Sequence, residues 1–140
     1  MPAVLFLLLA MTLIPQPADA QSDSRRTGMV MLPRQEIIET VFKPGDLVLA
    51  IGDSLVSGAG VRPKENFPAL LEEFTPARVF NQGRKGETSS ELMRRFESRV
   101  KERTYRYVLI CTGGNDILRD QSMTVLGQNL KDMIAIARRY

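Results

Sequence analysis

The chain has 140 residues, 44% of them hydrophobic and 25% charged, with a formal net charge of +3. These values fit one modest globular domain and exclude a disordered chain, a fibre or a repeat array. So small a positive charge, with no aromatic and basic constellation beside it, gives no reason to expect a nucleic-acid partner.

Residues 1–20 stand apart. Ala3 to Ile14, "AVLFLLLAMTLI", is an apolar run broken only by Thr12, and Pro15, Pro17 and the triplet Ala18-Asp19-Ala20 follow it. A membrane span needs roughly 20 apolar residues, so the run is too short for one. It has the length of the hydrophobic region of a secretory signal, and Ala-Asp-Ala is an A-x-A cleavage site. The expectation is a signal peptide over 1–20, cleaved near Ala20, and an exported protein, periplasmic or secreted, with no stable membrane span. The leader holds one acid and no Lys or Arg, so the remainder carries a formal charge of +4. Cys111 is the only cysteine, which rules out an intrachain disulfide, and it lies far from the cleavage site.

Residues 21–45 read as a polar, basic lead-in with a short helix from Pro33 to Phe42, closed by the turn "KPGD", Lys43 to Asp46. From residue 46 to 140 strand and helix patterns alternate. Leu47–Gly52, Ala77–Asn81 and Tyr105–Gly113 are apolar runs that suit the interior of a parallel sheet. Between them, Asn66–Phe74 sets Phe67, Leu70, Leu71 and Phe74 at helical spacing. Thr88–Arg103 opens with a T-x-x-E capping box and carries the stripe Leu92, Phe96, Val100. Glu91–Arg95 and Glu97–Lys101 are expected as i,i+4 pairs, and the cations of this helix as a solvated face. A last helix, Met123–Arg139, turns Leu126, Leu130, Met133, Ile134 and Ala137 inward. This order predicts an α/β fold, a three-layer α/β/α sandwich around a parallel sheet. Ligands of such folds bind at the carboxyl ends of the strands.

Three segments fall on that edge. "VLAIGDSLVSGAG", Val48 to Gly60, runs from a buried strand into a small-residue turn bearing Ser54. "NQGRKGETSSE", Asn81 to Glu91, ends a strand with two glycines, so that Gly86 offers an unhindered N–H. "GGND", Gly113 to Asp116, places Asn115 where a side-chain amide can donate to a developing oxyanion. Taken singly, these segments read equally as a serine cap, a tight turn and an Asx-turn.

Together they resemble three blocks, in order, of the SGNH or GDSL family of serine ester hydrolases, over roughly Asp46 to Tyr140. The resemblance implies a flavodoxin-like sandwich with strand order 2-1-3-4-5. It also implies Ser54 as nucleophile and an oxyanion hole formed by the backbone N–H groups of Ser54 and Gly86 and the side chain of Asn115. The implied substrate is a small-molecule acyl ester or thioester, as for lysophospholipases, thioesterases and arylesterases, with no metal or organic cofactor. The family's D-x-x-H block, which supplies the general base and its orienting Asp, has no counterpart, and the chain contains no histidine. The expectation is therefore a partial SGNH domain over 46–140, lacking its C-terminal strands, with the third strand an uncovered edge. Asp53, Glu65 and Glu87 are feeble bases for an alcohol, so the chain alone is expected to be nearly inert. The competing readings are a non-catalytic acyl- or carbohydrate-binding module and a fragment with no function. Arg84 and Lys85 either meet an anionic substrate or are solvated turn residues, the latter being preferred.

Overall fold

The computed structural model describes residues 3–6 and 41–140. The expected lead-in and its helix from Pro33 lie, up to residue 40, outside the described residues, as does the expected leader apart from residues 3–6.

Four strands pair in parallel in the order β1-β4-β2-β3: β1 (Ala3–Phe6), β2 (Leu47–Gly52), β3 (Arg78–Gly83) and β4 (Tyr107–Cys111). The helices that lie wholly among the described residues are α1 (Ser54–Ser57), α2 (Phe67–Phe74), α3 (Ser89–Val100), α4 (Gly114–Leu118) and α5 (Met123–Arg139). The central strand, β2, buries Val48 to Ile51 completely. Successive residues of a strand point to opposite faces. Leu49 and Ile51 join their register partners Val108 and Ile110 in a core closed by Leu92, Phe96 and Val100 of α3 and Met133 and Ala137 of α5. Val48 and Ala50 face the other way, where α1 and α2 lie against β3 and bury Val56 and Pro68. Each fully buried large apolar side chain stabilises this arrangement by about 1.5–3 kcal/mol.

The order β3-β2-β4 is the expected 2-1-3, and the α/β sandwich reading holds. The third strand is not a bare edge, however. Ala3–Phe6 lies along it in parallel, on the flank where a fourth strand would continue the sheet. The helix over 67–74 departs from its predicted stripe: Phe74 is exposed and Pro68 is the residue it buries. The stripe of α3 is buried as predicted, and both halves of its capping box are formed by Thr88 and Glu91. The predicted Glu97–Lys101 pair is present at 2.8 Å. Among the described residues no helix is long and apolar enough to cross a membrane.

Candidate active site

β2 ends at Gly52, and the chain turns directly into α1. Asp53 caps this helix, its Oδ1 accepting from the Leu55 N–H at 2.9 Å. Its own N–H donates to the carbonyl of Cys111, at the end of β4, at 3.2 Å. Ser54 is thus the first helical residue rather than the cap, half-buried at the carboxyl edge of the sheet. Neither its hydroxyl nor its N–H has a hydrogen-bond partner among the described residues.

The second segment is a tight turn, Arg84 to Glu87, closed by the Glu87 N–H on the Arg84 carbonyl at 3.3 Å. The Arg84 N–H fastens it to the Gly52 carbonyl at 2.8 Å. Gly86 holds φ 78°, the left-handed region where a Cβ is disfavoured. The carbonyls of Gly86 and Glu87 are both taken from the α4 side. Arg119 Nη2 donates to the first at 2.7 Å, and Asn115 Nδ2 to the second at 3.0 Å. The Gly86 N–H donates to nothing among the described residues.

Asn115, the second residue of α4, spends one amide hydrogen on Glu87, and the other has no partner among the described residues. That bond ties the third segment to the residue after Gly86. Asp116 points inward and is only 1% exposed. Its carboxylate accepts from the Ser89 N–H at 2.8 Å and the Ser89 hydroxyl at 2.6 Å, anchoring the start of α3, while Asn129 of α5 donates to the same hydroxyl.

One buried pair underlies these loops. Arg95 and Glu87 form an ion pair with both side chains more than nine-tenths buried. Arg95 Nε donates to Glu87 Oε1 at 2.7 Å, and Nη2 donates to the carbonyls of Gln82 at 2.9 Å and Gly52 at 3.4 Å. A single guanidinium thus joins the ends of β2 and β3 to the turn carrying Gly86. This corrects two expectations. Arg95 does not belong to a solvated face, and it does not pair with Glu91. Glu91 is engaged by the Thr88 cap and by Arg119 at 3.7 Å. The missed signal was the position of Arg95 three residues after Leu92, on the margin of the buried stripe.

The electrostatics follow from burial. Asp53 is held above the usual carboxylate range, chiefly by desolvation and then by repulsion from Asp116 and Glu87, against the opposing pull of the Leu55 N–H. Desolvation and then Asp53 push the Cys111 thiol up as well, which favours its protonated form. Because the folded state holds the Asp53 proton more tightly than the unfolded chain, its ionisation opposes folding. Asp53→Asn, which keeps the capping oxygen, is expected to raise the melting temperature at pH 7. That gain should fade as the pH falls through the raised titration of the Asp53 carboxyl, because the wild-type group then takes up its proton. Thermal melts across that titration check it. None of the carboxylates considered as a base is bonded to Ser54. Asp53 caps α1, Glu65 pairs with Arg62 at the surface, and Glu87 is held by Arg95.

A parallel sheet with these three loops on its carboxyl edge is the architecture of the SGNH hydrolases. The chain belongs to the GDSL-like lipase/acylhydrolase family, whose model matches residues 50–140. Among proteins it resembles, the Escherichia coli K12 thioesterase 1/protease 1/lysophospholipase L1 is 34% identical over 96 residues, 64% of this chain and 46% of that protein. Esterase TesA of Pseudomonas aeruginosa is 31% identical over 116 residues, 79% of this chain and 54% of its own. The crystal structure of AlinE4, an SGNH-hydrolase family esterase, superposes with a TM-score of 0.61 at 28% identity, covering 70% of this chain and 56% of that one. The chain spans about half the length of the curated relatives it matches.

Proposed function

We propose that these residues form the nucleophile and oxyanion side of an exported hydrolase acting on carboxylic ester or thioester bonds of acyl substrates. Ser54 Oγ attacks the acyl carbonyl, and the Ser54 N–H, the Gly86 N–H and the Asn115 amide stabilise the tetrahedral oxyanion. The observation that carries this reading is the Asn115–Glu87 hydrogen bond. It brings the amide beside the Gly86 turn, where both groups retain an unused donor. The activities named for the E. coli relative support acyl esters and thioesters as the substrate class. Export rests on the apolar run and the A-x-A triplet of residues 1–20. Cleavage there would carry β1 away and free the β4 edge.

No histidine lies within the 140 residues, and a serine hydroxyl is a weak nucleophile without a base. Without such a base among these residues, the chain alone turns over little. Purified 140-residue chain is expected to release almost no product from a short-chain nitrophenyl ester. Turnover at the level of complete esterases, abolished by Ser54→Ala, would refute this. In any form of the protein to which a base is supplied, Asn115→Ala is expected to lower kcat by about 10²–10³ with KM nearly unchanged, as for removal of one oxyanion donor. Steady-state kinetics on the same ester check it. An intact cradle lacking its base would also suit a binding module. Saturable ligand binding without product, weakened by Asn115→Ala, would favour that reading.

A further inference from the structure

The three loops at the carboxyl edge of the sheet also share a surface. Leu55, next to Ser54, is 61% exposed, and Ile117 and Leu118, which close α4 after Asn115, are 67% and 83% exposed. Arg84 and Lys85, in the Gly86 turn, are exposed and form no ion pair or side-chain hydrogen bond among the described residues. Arg94, exposed on α3, lines one cleft with that turn. Arg95 and Arg119 add no free charge, since Glu87 pairs with the first and Glu91 with the second. Asp53 and Asp116 are buried beneath this surface, and Asp120 remains as an exposed carboxylate beside Arg119. The exposed groups stand together because the loops are tied. A Cβ at Gly114, the first residue of α4, would lie 3.7 Å from the Asp53 carboxylate that caps α1, and Arg119 holds the Gly86 carbonyl. A single exposed leucine is ordinary. Exposed apolar side chains gathered on one edge and bordered by cations are the composition that binds an anionic lipid interface. The apolar tips leave water for the headgroup region, and the cations meet the lipid charge.

We propose that the carboxyl edge of the sheet docks on an anionic lipid bilayer. Leu55, Ile117 and Leu118 enter the interface, while Arg84, Lys85 and Arg94 lie on the headgroups. The protein then rests on the bilayer without spanning it, and the edge that carries Ser54 faces lipid rather than bulk water. The inference concerns binding alone, so it stands or falls without any turnover at Ser54.

The test uses the 140-residue chain and sedimentation with vesicles of phosphatidylcholine, alone or in equimolar mixture with phosphatidylglycerol. The mixed vesicles are expected to bind at least about tenfold tighter. Salt at about 1 M, where the Debye length is about 3 Å, should cancel that difference. The apolar run of residues 1–20 can also enter a bilayer, so substitutions on the edge decide the outcome. Arg84→Glu with Lys85→Glu should remove the preference for mixed vesicles. Ile117→Ser with Leu118→Ser should weaken binding to both kinds, with the circular dichroism unchanged in each case. Equal binding to the two vesicles, or wild-type binding by either variant, overturns the proposal. Heparin bound as tightly as the mixed vesicles would make the cations a general polyanion site and overturns it too. A second measurement places the contact. In a Cys111→Ser background, an environment-sensitive fluorophore on Leu118→Cys should shift to the blue when vesicles are added. The same label on Glu73→Cys, exposed near the end of α2 where the chain turns towards the amino end of β3, should not. No shift at residue 118, or an equal shift at residue 73, overturns the docking geometry.

Discussion

Gly52→Ala is expected to abolish stable folding of the sheet. A Cβ at this position would lie 1.8 Å from the Cys111 carbonyl oxygen and 2.9 Å from Val56 Cγ2. The first of these is backbone on the neighbouring strand, so no rotamer change can relieve the overlap. Only separation of β2 from β4 at their carboxyl ends would do so, and that breaks the Asp53 N–H bond to Cys111. The Gly52 carbonyl also anchors Arg84 and Arg95, so the shift would pass into the turn carrying Gly86. Ordinary overpacking costs about 1–3 kcal/mol with side chains free to move, and a fixed backbone clash lies above that range. A domain of this size has only about 5–15 kcal/mol in total. Gly127, inside α5, has no atom within 4 Å of its would-be Cβ. Gly127→Ala is therefore expected to stabilise the chain by about 0.5–1 kcal/mol. Denaturant midpoints of the pair check both signs, and a wild-type midpoint for Gly52→Ala would disprove the β2–β4 register.

Arg95→Leu is expected to cost about 3–5 kcal/mol, the usual penalty for removing one partner of a buried ion pair. The loss is large because Glu87 remains, 8% exposed, with its countercharge gone. The carbonyls of Gln82 and Gly52 lose a donor in the same step. Adding Glu87→Gln to Arg95→Leu should recover part of the stability by neutralising the stranded carboxylate. Additive losses from the two substitutions would mean that the residues do not act as a pair. The same variant loosens the turn on which the proposed oxyanion donors stand. Arg95→Lys, which keeps the charge but not the fork, should restore stability better than it restores kcat.

The sequence made the central strands and the stripe of α3 legible because burial there repeats at a fixed local period. The candidate site was legible because each of its three segments is contiguous and each ends a strand. Residues acting between segments were not. Arg95 was read from its neighbours on the helix, where Glu91 sits at the favourable spacing, yet the capping box holds Glu91 and Glu87 lies across a turn. The helices bearing Ser54 and Asn115, of four and five residues, are too short for periodicity to show and depend on local turn geometry. The stripe of α2 misled because helical spacing identifies a face without saying that anything covers it; Phe74 remains 64% exposed.

The hydrogen bonds that fix the Gly86 turn and Asn115 all close among residues 52–129. On the proposed reading, charge stabilisation and proton transfer become separable assignments. The turn and Asn115 that would serve the first are already tied together. The second would need a segment that brings a base within hydrogen-bond reach of the Ser54 hydroxyl, which has no partner among the described residues. Such a cradle is portable: different base-bearing segments could be fitted over it by recombination or design without rebuilding the loops beneath.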